Sequence, residues 1–274
     1  MTTRRFFSLL FILVGILTFS QSKWNIRFYN ELVGREYLIY ADNEEEMPMS
    51  AKFKFILKNM QSTLESDSIV VIPPKQKGFL VAKLSAVSPT LSNSFSYTNT
   101  YNFGNVLAQN HDDTYVYDLP FEKGKTHLVF QGYGGKLSHR GQLSLDFNLK
   151  IGDKIYAARE GKVVQTEEKH NSNCSTEGCA KFNNKIIILH TDGTFAEYLH
   201  LKQNGVEVNI GDDIIKGQFL GYSGNTGWST GPHLHFAVFF NRLNAKRDYI
   251  QTKFKTSSSE GEILQEKKSY TKNY

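Results

Sequence analysis

The run Gly224-Asn225-Thr226-Gly227-Trp228-Ser229-Thr230-Gly231-Pro232-His233-Leu234-His235-Phe236 constrains this chain more than any other. It is a glycine-rich loop feeding directly into a segment, His233 to Phe240, that reads as a strand. Side chains alternate faces along a strand, so His233 and His235 share one face while Leu234 and Phe236 turn to the other, toward a core. Two imidazoles then stand side by side above a loop whose glycines allow an extended ligand to approach the backbone. An isolated H-x-H is more often a polar pair on an edge strand, so the reading depends on what the rest of the chain brings to it.

Two further stretches carry the same residue types. Gly132-Tyr133-Gly134-Gly135 is a flexible turn before Ser138-His139, after which Leu143 to Asn148 alternates strictly. Leu143, Leu145 and Phe147 point inward there, and Ser144, Asp146 and Asn148 point to the opposite face. Asn184 to His190 is an Ile-rich strand joined by Thr191-Asp192-Gly193-Thr194 to a second strand that ends in Tyr198-Leu199-His200-Leu201. An Asp-Gly pair between two apolar runs is a strong hairpin signal. His139, Asp146, His200, His233 and His235 thus all lie on polar faces or at strand ends, separated by turns that a compact sheet can bring together. Imidazole and carboxylate suit zinc, and three protein ligands leave a fourth position for water. The other histidines then serve as proton carriers. His190 reads instead as a structural, hydrogen-bonded residue, and His111, His127 and His170 as surface residues.

The architecture reads as all-β. Ile151-Gly152-Asp153-Lys154-Ile155 is answered by Ile210-Gly211-Asp212-Asp213-Ile214, which suggests a duplicated hairpin device. Residues 120–254 form the domain that carries these motifs. Residues 23–119 show no cluster of catalytic residue types but several short strands, among them Ala51 to Leu57 and the alternating Phe95, Tyr97, Tyr101 and Phe103. They are expected to form an antiparallel, immunoglobulin-like β-sandwich with a binding or spacer role. Residues 255–274, Ser-rich and then charged, read as a flexible tail.

The first 22 residues carry an address. Arg4 and Arg5 precede an apolar run from Phe6 to Phe19, followed by Ser20-Gln21-Ser22, the pattern of a cleaved export signal. The apolar run is shorter than the roughly 20 residues of a spanning helix, so no membrane span is expected after cleavage. Removing it takes away two arginines and no acid, lowering the net charge from +5 to +3, too mild for a nucleic-acid binder. A periplasmic or secreted location makes a Cys174–Cys179 disulfide the default for the only two cysteines. Zinc on these thiols is the rival, but C-x4-C stands without a second cysteine pair.

Taken together, these blocks resemble the lysostaphin and LytM type of zinc metallopeptidases, which cut peptide cross-links of bacterial cell walls. The resemblance runs from about Lys136 to Val238 and rests on H-x6-D-F, the Gly-Asp turn with Tyr156 to Gly161, the Asn184 to His190 hairpin, Y-L-H-L, and S-G-N-T-G-x-S-T-G-P-H-L-H-F. It implies a lysostaphin-type antiparallel sheet and one zinc ion per chain held by His139, Asp146 and His235. It also implies a catalytic pair, His200 and His233, and peptidoglycan or another extended peptide as substrate. The family's commonest spacing is H-x3-D, so the longer His139 to Asp146 interval is a departure. Asn225, Trp228, Ser229 and Tyr133 are the candidate substrate contacts, although an aromatic in a glycine loop is as often a packing anchor. Two other readings compete. A non-catalytic wall-binding module of the same fold would be marked by a missing ligand, and none is missing. A biotinyl- or lipoyl-type carrier would leave H-L-H and Y-L-H-L unexplained.

Overall fold

The computed structural model describes residues 24–243 and 246–274; the export signal read at 1–22 lies outside the described residues. Apart from one short 3-10 turn, Glu177–Phe182, the described elements are β-strands.

Residues 26–103 form two sheets. One orders Ile26–Val33, Glu36–Asn43, Gln76–Ala86 and Met60–Ser62, and the other orders Ile69–Ile72, Met49–Lys58 and Ser94–Phe103. Alternation decides which faces meet. On Met49–Lys58, Met49, Ala51 and Phe53 are fully buried while Lys54 and Lys58 are exposed. Phe28 meets Phe53 edge-on, and Tyr37 lies 4.7 Å from Phe95, so rings from both sheets fill one core.

The second unit is built on a nine-stranded sheet. Its main path is Asp213–Ile214, Gly161–Glu167, Lys185–Leu189, Phe195–Leu199, Leu234–Asn241, Ser144–Phe147, Thr126–Gln131 and Ser269–Thr271, with Arg247–Ile250 also paired to Leu234–Asn241. A three-stranded sheet of Lys154–Tyr156, Phe219–Ser223 and Leu201–Val206 shares its core. Leu145, Phe147, Leu234, Phe236, Ile186 and Tyr198 turn into that core, as the alternating sequence requires.

The echoed turns are one device used twice. Gly152 and Gly211 both have positive φ, 91° and 99°. Asp153 and Asp212 each accept a backbone N–H three residues upstream at 2.7 Å. The next isoleucines, Ile155 and Ile214, are both buried. A left-handed glycine and an Asx bond together reverse the chain so that the following apolar residue faces inward.

The two units meet across an apolar seam. Phe195 and Phe239 on the outer face of the large sheet, with Ile187 and Val164, belong to the sandwich core, and Phe103 meets Phe195 edge-on at 5.1 Å. Burying a phenylalanine contributes roughly 1.5–3 kcal/mol. Arg242 fastens the rim by donating to the carbonyls of Val106 and Ala108 at 2.8 Å.

The flexible tail expected at 255–274 is not what the chain forms. Ser269–Thr271 pairs with Thr126–Gln131 as the last strand of the large sheet. Leu264 and Tyr270 are buried, and the buried Lys272 Nζ donates to the Leu119 carbonyl at 3.0 Å. Three residues spaced through a polar segment have no readable period, yet each finds a site on the sheet.

Candidate metal centre

Ser144–Phe147 runs antiparallel to Leu234–Asn241, in a register that places Asp146 directly opposite His235. Both point away from the core, because Leu145, Phe147, Leu234 and Phe236 occupy the other face. His139 arrives from the loop before this strand. Its Nε2 lies 3.3 Å from His235 Nδ1 and 3.2 Å from Asp146 Oδ2, and Asp146 Oδ1 lies 3.0 Å from His235 Nδ1. All three residues are buried, and their ligand atoms fall within 4.8 Å of one another. The six-residue interval therefore does return both ends to one point.

This donor set fits a small divalent cation. A tetrahedral site with bonds of about 2.0–2.1 Å has ligand–ligand edges of about 3.3 Å, close to the separations here. His139 Nδ1 lies 3.0 Å from the Gly132 carbonyl, which can only accept, so Nδ1 carries the proton and Nε2 keeps its lone pair. Gly132 is itself braced by the C-terminal segment, with its N–H donating to Glu266 Oε2 at 3.2 Å. Burial works to raise the Asp146 pKa, but bonds to His139 and His235 overcome it and hold the carboxyl well below the usual range.

His200 and His233 stand beside this cluster with ring centres 4.4 Å apart. His200 sits where the chain leaves the large sheet for the small one, at φ 66°, a left-handed conformation uncommon for a non-glycine residue. Its Nδ1 donates to the Thr226 carbonyl at 2.7 Å, and His233 Nδ1 donates to the Gly231 carbonyl at 2.8 Å. The glycine loop thus supplies the acceptors that fix both tautomers and leave each Nε2 bare. His233 Nε2 lies 3.7 Å from Asp146 Oδ1. Burial and the neighbouring imidazoles lower the His200 pKa to about 3, and burial lowers that of His233.

A groove of roughly 340 Å³ opens over the five residues, lined also by Phe130, Gln131, Leu137, Ser138, Ser175, Asn183, Leu199, Trp228, Ser229 and Thr230. Apart from Asp146 and the histidines, no lining side chain is titratable, and none comes from residues 24–119. Trp228 and Ser229 are where a substrate would meet them, but Asn225 and Tyr133 are not in the lining. Asn225 Oδ1 accepts from Ser229 Oγ at 2.7 Å and shapes the loop. The Tyr133 ring packs on the core and its hydroxyl bonds Thr252, so the polar end that would face a ligand is already engaged. Phe130, edge-on to His233 at 5.3 Å, and Asn183 were invisible to motif reading. Phe130 is one apolar residue among several in its strand, and Asn183 belongs to no pattern.

Cys174 and Cys179 form a disulfide, and the loop it closes makes one wall of the groove. Asn173–Cys174 pairs in parallel with Gly227–Trp228, and Trp228 Nε1 donates to the Ser175 carbonyl at 3.1 Å. At Gly227, φ 80°, a Cβ would sit 1.7 Å from Asn183 Oδ1, so only glycine lets the two walls meet. Replacing both cysteines by serine should lower stability by about 2 kcal/mol in the chain-entropy picture. Urea unfolding checks this, and an unchanged midpoint contradicts the contribution.

His190 is structural, as its position at a strand end indicated. Nδ1 donates to the Glu160 carbonyl at 2.6 Å, and burial, aided by Arg159, lowers its pKa to about 4. Between about 4 and the ordinary 6.5, the unfolded chain binds a proton that the folded chain refuses. Stability contributed by the neutral ring is therefore complete above 6.5 and lost as pH falls through that window. In an NMR titration its ring signals should stay flat from pH 8 to 5, whereas a midpoint near 6.5 would contradict this.

Residues 139–247 match the sequence profile of peptidase family M23. That region is similar to this family and, through the relatives below, to its lysostaphin type. It is 34% identical over 103 residues to lysostaphin of Staphylococcus simulans, covering 36% of this chain and 18% of that protein. It is 35% identical over 93 residues to peptidoglycan DD-endopeptidase ShyA of Vibrio cholerae, covering 34% of this chain and 19% of that protein. The chain thus spans about a fifth of the length of these relatives. Among solved structures, the catalytic domain of lysostaphin from Staphylococcus simulans is similar at 26% identity with a TM-score of 0.34. That match covers 46% of this chain and 87% of the solved one.

Proposed function

We propose that this protein is a zinc metallo-endopeptidase that hydrolyses stem peptides or peptide cross-links of bacterial peptidoglycan. The observation that carries the reading is the convergence of His139, Asp146 and His235 on one point, with His200 and His233 beside it under an open groove. His139 Nε2, His235 Nδ1 and an Asp146 oxygen would hold the ion. A zinc ion there supplies Lewis acidity toward a scissile carbonyl and makes a water nucleophile available near neutral pH.

The rest is done by the chain. The glycine loop and the disulfide wall hold an extended peptide between Trp228 and the apolar side of Phe130, Leu137 and Leu199. His233, neutral and with its Nδ1 proton committed to Gly231, takes a proton at Nε2 from the attacking water. The Asp146 carboxylate 3.7 Å away stabilises the resulting imidazolium. The same Nε2 then gives the proton to the leaving amine, while His200, fixed by Thr226, orients the reacting groups from its place beside His233. The relatives named as a peptidoglycan DD-endopeptidase and a glycyl-glycine endopeptidase support the substrate class. The Cys174–Cys179 disulfide supports export to an oxidising periplasm or exterior.

Digestion of purified walls of different cross-link chemistry tests the reading. Release of new peptide amino termini, identified by mass spectrometry, is the expected result. No new amine from any wall type, with zinc-loaded and folded protein, would refute it.

A further inference from the structure

Glu197 lies three residues before His200 and belongs to none of the motifs above. It is 2% exposed, on the outer face of Phe195–Leu199, and its neighbouring strand Leu234–Asn241 carries His235. A carboxylate is almost never so buried unless it is paired. Its two oxygens face two partners: Oε2 lies 2.7 Å from Arg247 Nη1, and Oε1 lies 3.8 Å from His235 Nε2. His235 turns its other nitrogen, Nδ1, to Asp146 and His139. The imidazole therefore bridges the donor cluster and Glu197.

We infer that Glu197 is a positioning residue for His235: it keeps the ring's proton on Nε2 and so presents the Nδ1 lone pair to a bound cation. The inference rests on the metallopeptidase reading proposed above. The carboxylate 3.8 Å from Nε2 favours a proton there by its charge rather than by a direct bond, and that tautomer leaves Nδ1 free for a cation. Arg247 completes the support. Its guanidinium lies 4.0 Å over the Phe239 ring, and Phe239 is fixed in the seam against Phe195 and the sandwich. The carboxylate is thereby clamped from the side away from the metal, and cannot swing from His235 without leaving Arg247.

A plain structural ion pair between Glu197 and Arg247 is the alternative, and two variants separate them. Zinc affinity is measured by competition with a chromophoric chelator, on the full-length protein, for the wild type, Glu197→Met, and Glu197→Met with Arg247→Met. The expected result is a 10–100-fold rise in the zinc Kd for E197M, which persists in the double variant because no carboxylate faces His235 Nε2 there either. If E197M binds zinc as the wild type does, or if removing Arg247 as well restores affinity, the positioning role is overturned while the metallopeptidase reading stands. A wild type that binds no zinc overturns the reading itself, and the inference with it.

Discussion

Replacing His235 by alanine should empty the site. The purified variant should carry no zinc under conditions that fill the wild type, and wall hydrolysis should fall by well over 100-fold. The bound is set by comparison: losing a group that merely orients a ligand costs about 10–100-fold in metal affinity or activity, and in the proposed site His235 would itself donate to the ion. Its Nδ1 sits within 3.3 Å of both other donors, so no neighbour can replace it without moving a strand. The fold should survive, because the residues alternating with it, Leu234 and Phe236, hold the core side of the same strand. A variant that keeps its metal, measured by elemental analysis beside an intact circular dichroism spectrum, would contradict the assignment.

Replacing His200 or His233 by alanine should give the opposite pattern. Neither supplies an atom to the donor cluster, so zinc should be retained while kcat falls by about 10²–10⁴, the usual worth of a positioned proton carrier. KM should change less than kcat, since Phe130, Leu137, Leu199 and Trp228 along the groove stay in place. His233 should show the larger loss, because its Nε2 has the Asp146 carboxylate beside it. Turnover at the wild-type rate in either variant would remove that residue from the mechanism.

What the sequence disclosed and what it concealed follow from the range of the interactions. The Gly-Asp turns, the Asp192-Gly193 hairpin and the alternation around Asp146 are local, and each reappears in the fold as read. The H-L-H pair was legible because a two-residue spacing on a strand fixes the shared face. Glu197 and Arg247 were not, because their pairing joins positions 50 residues apart and leaves no period in either segment. Tyr133 and Asn225, candidate substrate contacts from the sequence, lie outside the groove lining for a related reason. A glycine loop announces that something approaches it, but not which polar groups its own bonds have already used. The segment from Leu264 to Lys272 looked like a solvated tail because charge dominates its composition. Two apolar side chains and one carbonyl-bound lysine were enough to seat it.

The account turns on three side chains holding one ion. Zinc-edge X-ray absorption on the purified protein at neutral pH, with metal content measured on the same sample, tests this most directly. One zinc per chain with a nitrogen and oxygen shell at about 2.0–2.1 Å and no sulfur is the result predicted. A folded protein without zinc, or one whose zinc has sulfur neighbours, would contradict it.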